Sequence, residues 1–148
     1  MKPINLLSIG IASDHAGFEL KSEIIKFLEK QGCVVYDYGT HSPQSVDYPD
    51  FAHPLASAVE SGACEFGVAV CGSGNGINMV VNHHQNIRGA LCWQSEIAHL
   101  ARQHNDANIL SLPARFISKN AALEIVKTFF ASDFKGGKHQ KRVEKIPC

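Results

Sequence analysis

Short apolar runs alternate with amphipathic stretches along the whole chain. Residues 6–12 (Leu-Leu-Ser-Ile-Gly-Ile-Ala) are nearly all apolar, as expected of a strand covered on both faces. The run breaks at Ser13-Asp14-His15-Ala16-Gly17. Leu20, Ile24, Phe27 and Leu28 then recur at helical spacing, with Lys21, Glu23, Lys26 and Glu29 on the opposite side. Gly32 stands where a helix-terminating glycine belongs, and residues 33–38 read as a second strand. A polar loop over 39–49 leads to a short helix over 51–60, closed by Gly62. Residues 66–70 predict a third strand and 76–81 a third helix; 87–93 predict a fourth strand, and 108–112 a fifth. Ser95 is a candidate cap for a helix from Glu96 to about Gln103. Ser118 is the candidate cap of a last helix whose apolar stripe is Ala122, Ile125, Val126, Phe129 and Phe130.

Strand and helix alternate throughout, the pattern of βαβ units: an α/β fold with a parallel sheet and helices on both faces. No repeat or linker interrupts it, so residues 1–148 read as a single domain. Only the tail from residue 134 onward turns polar and glycine-rich, and such a segment either frays or docks, for instance on a neighbouring subunit. In an open parallel sheet, ligands bind beyond the carboxyl ends of the strands. The residues at that rim are Asp14-His15, Gly39-Thr40, Cys71 to Gly76, Trp93, and Pro113-Ala114-Arg115.

The most pointed segment is Val68-Ala69-Val70-Cys71-Gly72-Ser73-Gly74-Asn75-Gly76. An apolar strand ends in a thiol, and a glycine loop then opens a helix. Helix N-termini favour negative charge, which eases thiolate formation. Glycines let backbone N–H groups approach an anion closely. A thiol base beside an amide cradle suits chemistry that creates negative charge on a small oxygenated substrate. The same residues also fit a packed cysteine and an ordinary turn of an α/β domain.

Composition narrows the setting. Formal net charge is zero, so no global field attracts nucleic acid or an anionic membrane. No apolar run is long enough to span a bilayer and no secretory leader pattern opens the chain, so a cytoplasmic protein is expected. The cysteines number five, and no pair has CxxC spacing. Free thiols fit that pattern better than a disulfide framework or a zinc knuckle. Cys33 and Cys92 fall in apolar runs and read as core, and Cys148 is simply the last residue.

Each remaining candidate has two readings. Asp14-His15 supplies acid and base groups at a strand tip, or forms a capped turn before the first helix. His104 transfers protons, or sits as a cation at a helix C-terminus. Arg115, Lys138 and Arg142 bind a phosphate, or are solvated surface charges. Asp47-Tyr48-Pro49 presents a phenol to the site, or is a rigid turn. His83-His84 has no metal-ligand spacing and is assigned no role; no metal site is expected.

Five segments together resemble the sugar-phosphate isomerases of the ribose-5-phosphate isomerase B type, a family that includes galactose-6-phosphate isomerase subunits. They are Ser13-Asp14-His15-Ala16-Gly17-Phe18, Asp47-Tyr48-Pro49, Cys71-Gly72-Ser73-Gly74-Asn75-Gly76, Arg102-Gln103-His104-Asn105-Asp106-Ala107-Asn108 and Gly136-Gly137-Lys138-His139-Gln140-Lys141-Arg142. They follow the family's order and spread over nearly the whole chain. The resemblance implies a Rossmann-like three-layer fold with a five-stranded, mostly parallel sheet. It implies a homodimer or homotetramer with shared active sites, the tail over 134–148 docking on the partner subunit. It also implies interconversion of D-ribose 5-phosphate and D-ribulose 5-phosphate in the pentose phosphate pathway, without metal or nucleotide cofactor. By the same resemblance Cys71 is the base between C1 and C2, Gly72, Gly74, Asn75 and Gly76 supply donors to the enediolate, and His104 assists ring opening. Asp14, His15, Tyr48 and Asn105 line the substrate, and Arg115, Lys138 and Arg142 match phosphate-binding positions.

Two positions depart from the family pattern. Ser73 stands where threonine is common; the hydroxyl survives and remains able to move protons between the substrate oxygens. Lys138 stands where arginine is common, replacing a planar fork by a point charge. Isomerisation of a six-carbon sugar phosphate (allose or galactose 6-phosphate) and a non-catalytic sugar-phosphate sensor are the alternatives. A cysteine-dependent phosphatase is disfavoured, because Asn75-Gly76-Ile77 offers no arginine to close a phosphate loop.

Overall fold

A computed structural model describes residues 2–148. The strands are β1 (Ser8–Ser13), β2 (Val34–Asp37), β3 (Phe66–Cys71), β4 (Gly89–Leu91) and β5 (Ile109–Pro113). The helices are α1 (Phe18–Lys30), α2 (Pro49–Glu60), α3 (Asn75–Val81), α4 (Ser95–Asn105), α5 (Lys119–Phe130) and α6 (Lys138–Val143). The sheet runs β2-β1-β3-β5-β4, and every pairing is parallel. One face carries Ile9, Ile11, Val68, Val70, Leu110 and Leu112 under α1, α4 and α5. The other carries Ala12, Ala69, Cys71 and Ile109 under α2 and α3. This is the three-layer α/β arrangement the alternation predicts.

Close approaches set the layers against one another. A Cβ at Gly17 would lie 2.6 Å from the Val70 carbonyl oxygen, so only glycine lets the start of α1 press on β3. That contact brings Asp14-His15 beside the end of β3. Ser118 caps α5 as expected, its Oγ accepting the Ala121 N–H at 3.1 Å.

The structure corrects several boundaries. Leu6 belongs to a 3-10 turn, Ile4–Leu6, and is exposed; β1 starts two residues later. β2 is an edge strand, so Val34 and Tyr36 face solvent although the run is apolar. β4 is shorter than expected, with side chains bonded to the backbone at its start. Arg88 N–H donates to Asn108 Oδ1 at 2.8 Å, and the Asn82 amide bonds both backbone groups of Gly89. Ser95 is the first residue of α4 rather than its cap; Gln94 holds the cap position with no side-chain bond. α2 begins earlier, with Pro49 in its first turn, where a missing N–H costs nothing. The polar tail contains one short helix, α6, where the sequence suggested none.

Candidate active site

β3 ends in Cys71, which is 5% exposed on the α2–α3 face of the sheet. The loop that follows turns back over the sulfur: the Gly74 N–H donates to Cys71 Sγ at 3.2 Å. Gly74 has φ 77°, the left-handed setting that favours glycine. A side chain there would collide with Leu91 and with the backbone of Leu112 and Pro113, so the loop lies directly on the ends of β4 and β5. Ser73 and Asn75 point outward. Ser73 Oγ accepts the Asn75 N–H at 3.2 Å, which leaves its own hydrogen free to donate.

Three other segments meet this loop. After β5, the amides of Ala114 and Arg115 donate to the carbonyls of Cys71 and Gly72 at 2.9 and 3.0 Å. The Arg115 side chain folds over Gly72, its Cδ and Nη1 each 3.3 Å from where a Cβ would stand. Tyr48, at the start of α2, lies over Gly76, its Cζ 2.6 Å from a Cβ built there. After β1, Asp14 Oδ1 accepts the Gly17 N–H at 3.0 Å, the capped-turn role. His15 Nδ1 accepts the Val46 N–H at 3.2 Å, so the neutral ring carries its proton on Nε2 as a donor. Cys71, Ser73, the three glycines, Asn75, Tyr48, Asp14, His15 and Arg115 thus belong to one pole of the sheet. An open groove beside it exposes Trp93 and Phe116.

The remaining candidates lie at the opposite pole. α4 starts beyond the carboxyl end of β4 and runs back, so His104 and Asn105, in its last turn, precede the amino end of β5. Cys71 pairs with Pro113 and Gly67 with Ile109, four steps of β5 apart. At about 3.3 Å per residue, that separates the ends by about 13 Å along the sheet. Lys138 and Arg142 sit one turn apart on α6, which packs on α4. The Lys135 N–H donates to the Gln103 carbonyl at 2.9 Å, and the His139 ring stacks on His104 with centroids 4.2 Å apart and planes 11° apart. Partial burial, then the charges of His104, Lys138, Arg142 and Lys135, hold His139 below the ordinary imidazole value. Nothing in the sequence assigns His139 a role of its own. Its spacing from Lys138 and Arg142 in the glycine-led tail motif was the available signal.

Burial pushes the Cys92 thiol up to about 12, and raises Cys33 and Cys64. His84 bridges His53 (2.8 Å) and Glu60 (3.3 Å) on the surface, away from the thiol loop. Among the described residues no group of three or more His, Cys, Asp or Glu side chains is placed to hold a metal ion, and no helix is long and apolar enough to cross a membrane.

Comparison with known proteins places this arrangement. The family model described as Ribose/Galactose Isomerase matches residues 9–146. Ribose-5-phosphate isomerase B of Escherichia coli is 40% identical over 138 residues, covering 93% of each chain. The structure of Clostridium thermocellum ribose-5-phosphate isomerase B superposes with a TM-score of 0.94 at 49% identity, covering 95% of each chain. That of the Mycoplasma genitalium enzyme with bound ribulose-5-phosphate superposes with a TM-score of 0.91 at 38% identity, covering 94% of this chain and 93% of that one. With the family model spanning nearly all of its length, the chain belongs to the ribose/galactose isomerase family, among the enzymes of the ribose-5-phosphate isomerase B type.

Proposed function

We propose that the chain interconverts D-ribose 5-phosphate and D-ribulose 5-phosphate through an enediolate, at a site made from opposite poles of two copies. The supporting observation is the thiol loop: Cys71 at a strand end, oriented by the Gly74 amide, beneath a phenol and a guanidinium. Cys71 as thiolate removes the C2 proton of the open-chain aldose and returns it to C1. The charge that appears on the sugar oxygens is met by the amides of the 72–76 loop; one such donor is typically worth ~10²–10³ in rate. Ser73, whose hydroxyl hydrogen is free, moves the remaining proton from O2 to O1. His15, donating from Nε2, and Asp14 hold the sugar, and Arg115 holds the phosphate.

His104 opens the furanose ring by protonating the ring oxygen as its bond to C1 breaks and the anomeric hydroxyl gives its proton to water, with Asn105 beside it. Lys138 and Arg142 add to the phosphate site. These groups stand at the far end of β5 from Cys71 in the same chain, so a partner must bring them. The exposed Trp93 and Phe116 beside the loop offer a surface for that partner. A twofold pair in which one subunit's amino pole covers the other's carboxyl pole makes two complete sites. The tail over 134–148, with α6, then works on the neighbour's substrate. A cytoplasmic place in pentose phosphate metabolism follows from that substrate.

The test is complementation. Assayed alone on ribose 5-phosphate, Cys71→Ala loses turnover and His104→Asn keeps only a small residual rate. Mixed and allowed to exchange subunits, half the dimers are hybrids with one intact site in two, so about a quarter of wild-type activity returns. No recovery in a mixture shown to contain hybrids would refute the shared site. Binding of ribose 5-phosphate by the wild type without turnover would refute catalysis itself.

A further inference from the structure

α4 ends on an unusual residue. Asp106 has φ 49° and ψ 43°, and among the described residues it is the one non-glycine with positive φ. That left-handed setting is strained for a residue with a Cβ, and a carboxylate beside a helix C-terminus is electrostatically disfavoured. Glycine or asparagine would serve a plain helix end better. The aspartate is instead gripped from two sides. Arg102 Nη1 donates to Asp106 Oδ1 at 3.0 Å and to the Ala107 carbonyl at 2.6 Å. Arg88 Nη2 donates to Oδ2 at 3.3 Å, and its Nε to the Asp106 carbonyl at 3.0 Å.

The two arginines are themselves fixed. Arg102 is 5% exposed, with its guanidinium over the rings of Phe66 and Phe129 at 5.0 and 5.8 Å and its Nε on the Ser132 carbonyl at 3.4 Å. The backbone of Arg88 is bound to Asn108 Oδ1. Asp106 therefore ties the last turn of α4 both to the α5 layer and to the start of β4. The residues just before it are Asn105 and His104.

We propose that Asp106 is a positioning residue for ring opening: the Arg88–Asp106–Arg102 clamp fixes the direction of His104 as it is presented to the neighbouring subunit's substrate. The role rests on the reading of His104 given above. It predicts a specific kinetic signature. Displacing a catalytic group by about 1 Å costs on the order of 10²-fold in the step it serves. Only the cyclic substrate needs that step.

The experiment compares Asp106→Asn and Asp106→Gly with His104→Asn, on ribose 5-phosphate and on its 4-deoxy analogue, which has no O4 and cannot close a furanose. Both Asp106 variants should lower kcat on ribose 5-phosphate by roughly 10–100-fold and leave KM within about threefold, with little change on the analogue. In a His104→Asn background they should cost nothing further. The upfield shifts that stacking gives the His104 and His139 ring protons should shrink in the NMR spectrum of each Asp106 variant. Asp106→Gly removes the backbone strain, so it carries the test if Asp106→Asn does not fold. Full activity in Asp106→Gly, or equal losses on both substrates while His104→Asn remains selective, overturns the clamp alone. If His104→Asn itself is not selective for the cyclic sugar, the His104 reading falls and takes the role of Asp106 with it.

Discussion

Gly76→Ala separates the geometry of the site from the stability of the fold. Gly76 is the second residue of α3, and its missing side chain leaves the space that Tyr48 fills. A Cβ there would stand 2.6 Å from Cζ, 2.8 Å from Cε1 and 2.9 Å from Oη of Tyr48. Carbon atoms in contact prefer about 3.5–4.0 Å, so the ring must retreat by about 1 Å. Tyr48 is 37% exposed and can swing outward without opening a cavity. Alanine in a helix gains up to about 1 kcal/mol over glycine, less in the first turn. The two effects nearly offset, and Tm should move by only a few degrees. On the expectation that Tyr48 lines the substrate, activity should respond far more: a 1 Å shift of such a group costs up to ~10²-fold. A loss of roughly 10–100-fold in kcat/KM is expected in a continuous assay of ketopentose formation. The Tyr48→Ala background supplies the decisive comparison, since Gly76→Ala should cost almost nothing there. An undiminished loss in that background would mean the methyl acts on the loop itself, and the role given to the phenol would be wrong.

Three further outcomes are expected. Ser118→Ala removes the α5 cap and should cost about 1 kcal/mol in denaturant unfolding with turnover unchanged; unchanged stability would mean the 3.1 Å contact does not persist in solution. His139 binds protons less readily folded than unfolded, so stability should rise with pH through its ordinary value of 6.5 and be lost below it. His139→Gln should flatten that slope at and below 6.5, and a slope that survives the substitution would place the proton elsewhere. Timed alkylation at about pH 8 should label exposed Cys148 first and Cys92, held near 12 by burial, only as the fold opens. Equal labelling rates for the two would contradict the buried setting of Cys92.

Periodicity and turn chemistry carried most of the architecture. The stripe of α5, the cap at Ser118 and the strand-loop-helix at Cys71 are local signals, and the structure has them where expected. The boundaries that moved did so for non-local reasons. β4 begins only at Gly89, and the Arg88 N–H before it is taken by the Asn108 side chain from another segment. An apolar β2 lies exposed because its edge position follows from strand order, which no residue within it encodes. The thiol loop was legible from its own residues. Tyr48 over Gly76 was not, since it depends on how the long 39–49 loop folds. The placement of His104 opposite Cys71 follows from helix direction in a βαβ unit. It becomes plain once the chain is traced rather than inspected residue by residue.

Gly74 limits how this enzyme can change. Its φ of 77° disfavours any residue with a Cβ, and although the Leu91 side-chain end could give way, the backbone of Leu112 and Pro113 stands only 3.2 Å from where a Cβ would lie. The floor of the pocket is therefore inherited rather than tunable. The Asn75 side chain, exposed on the open side of the same loop, can change without disturbing the layers below. Laboratory evolution toward longer sugars should accumulate changes at Asn75 while leaving the glycine before it, and the hydroxyl of Ser73, untouched.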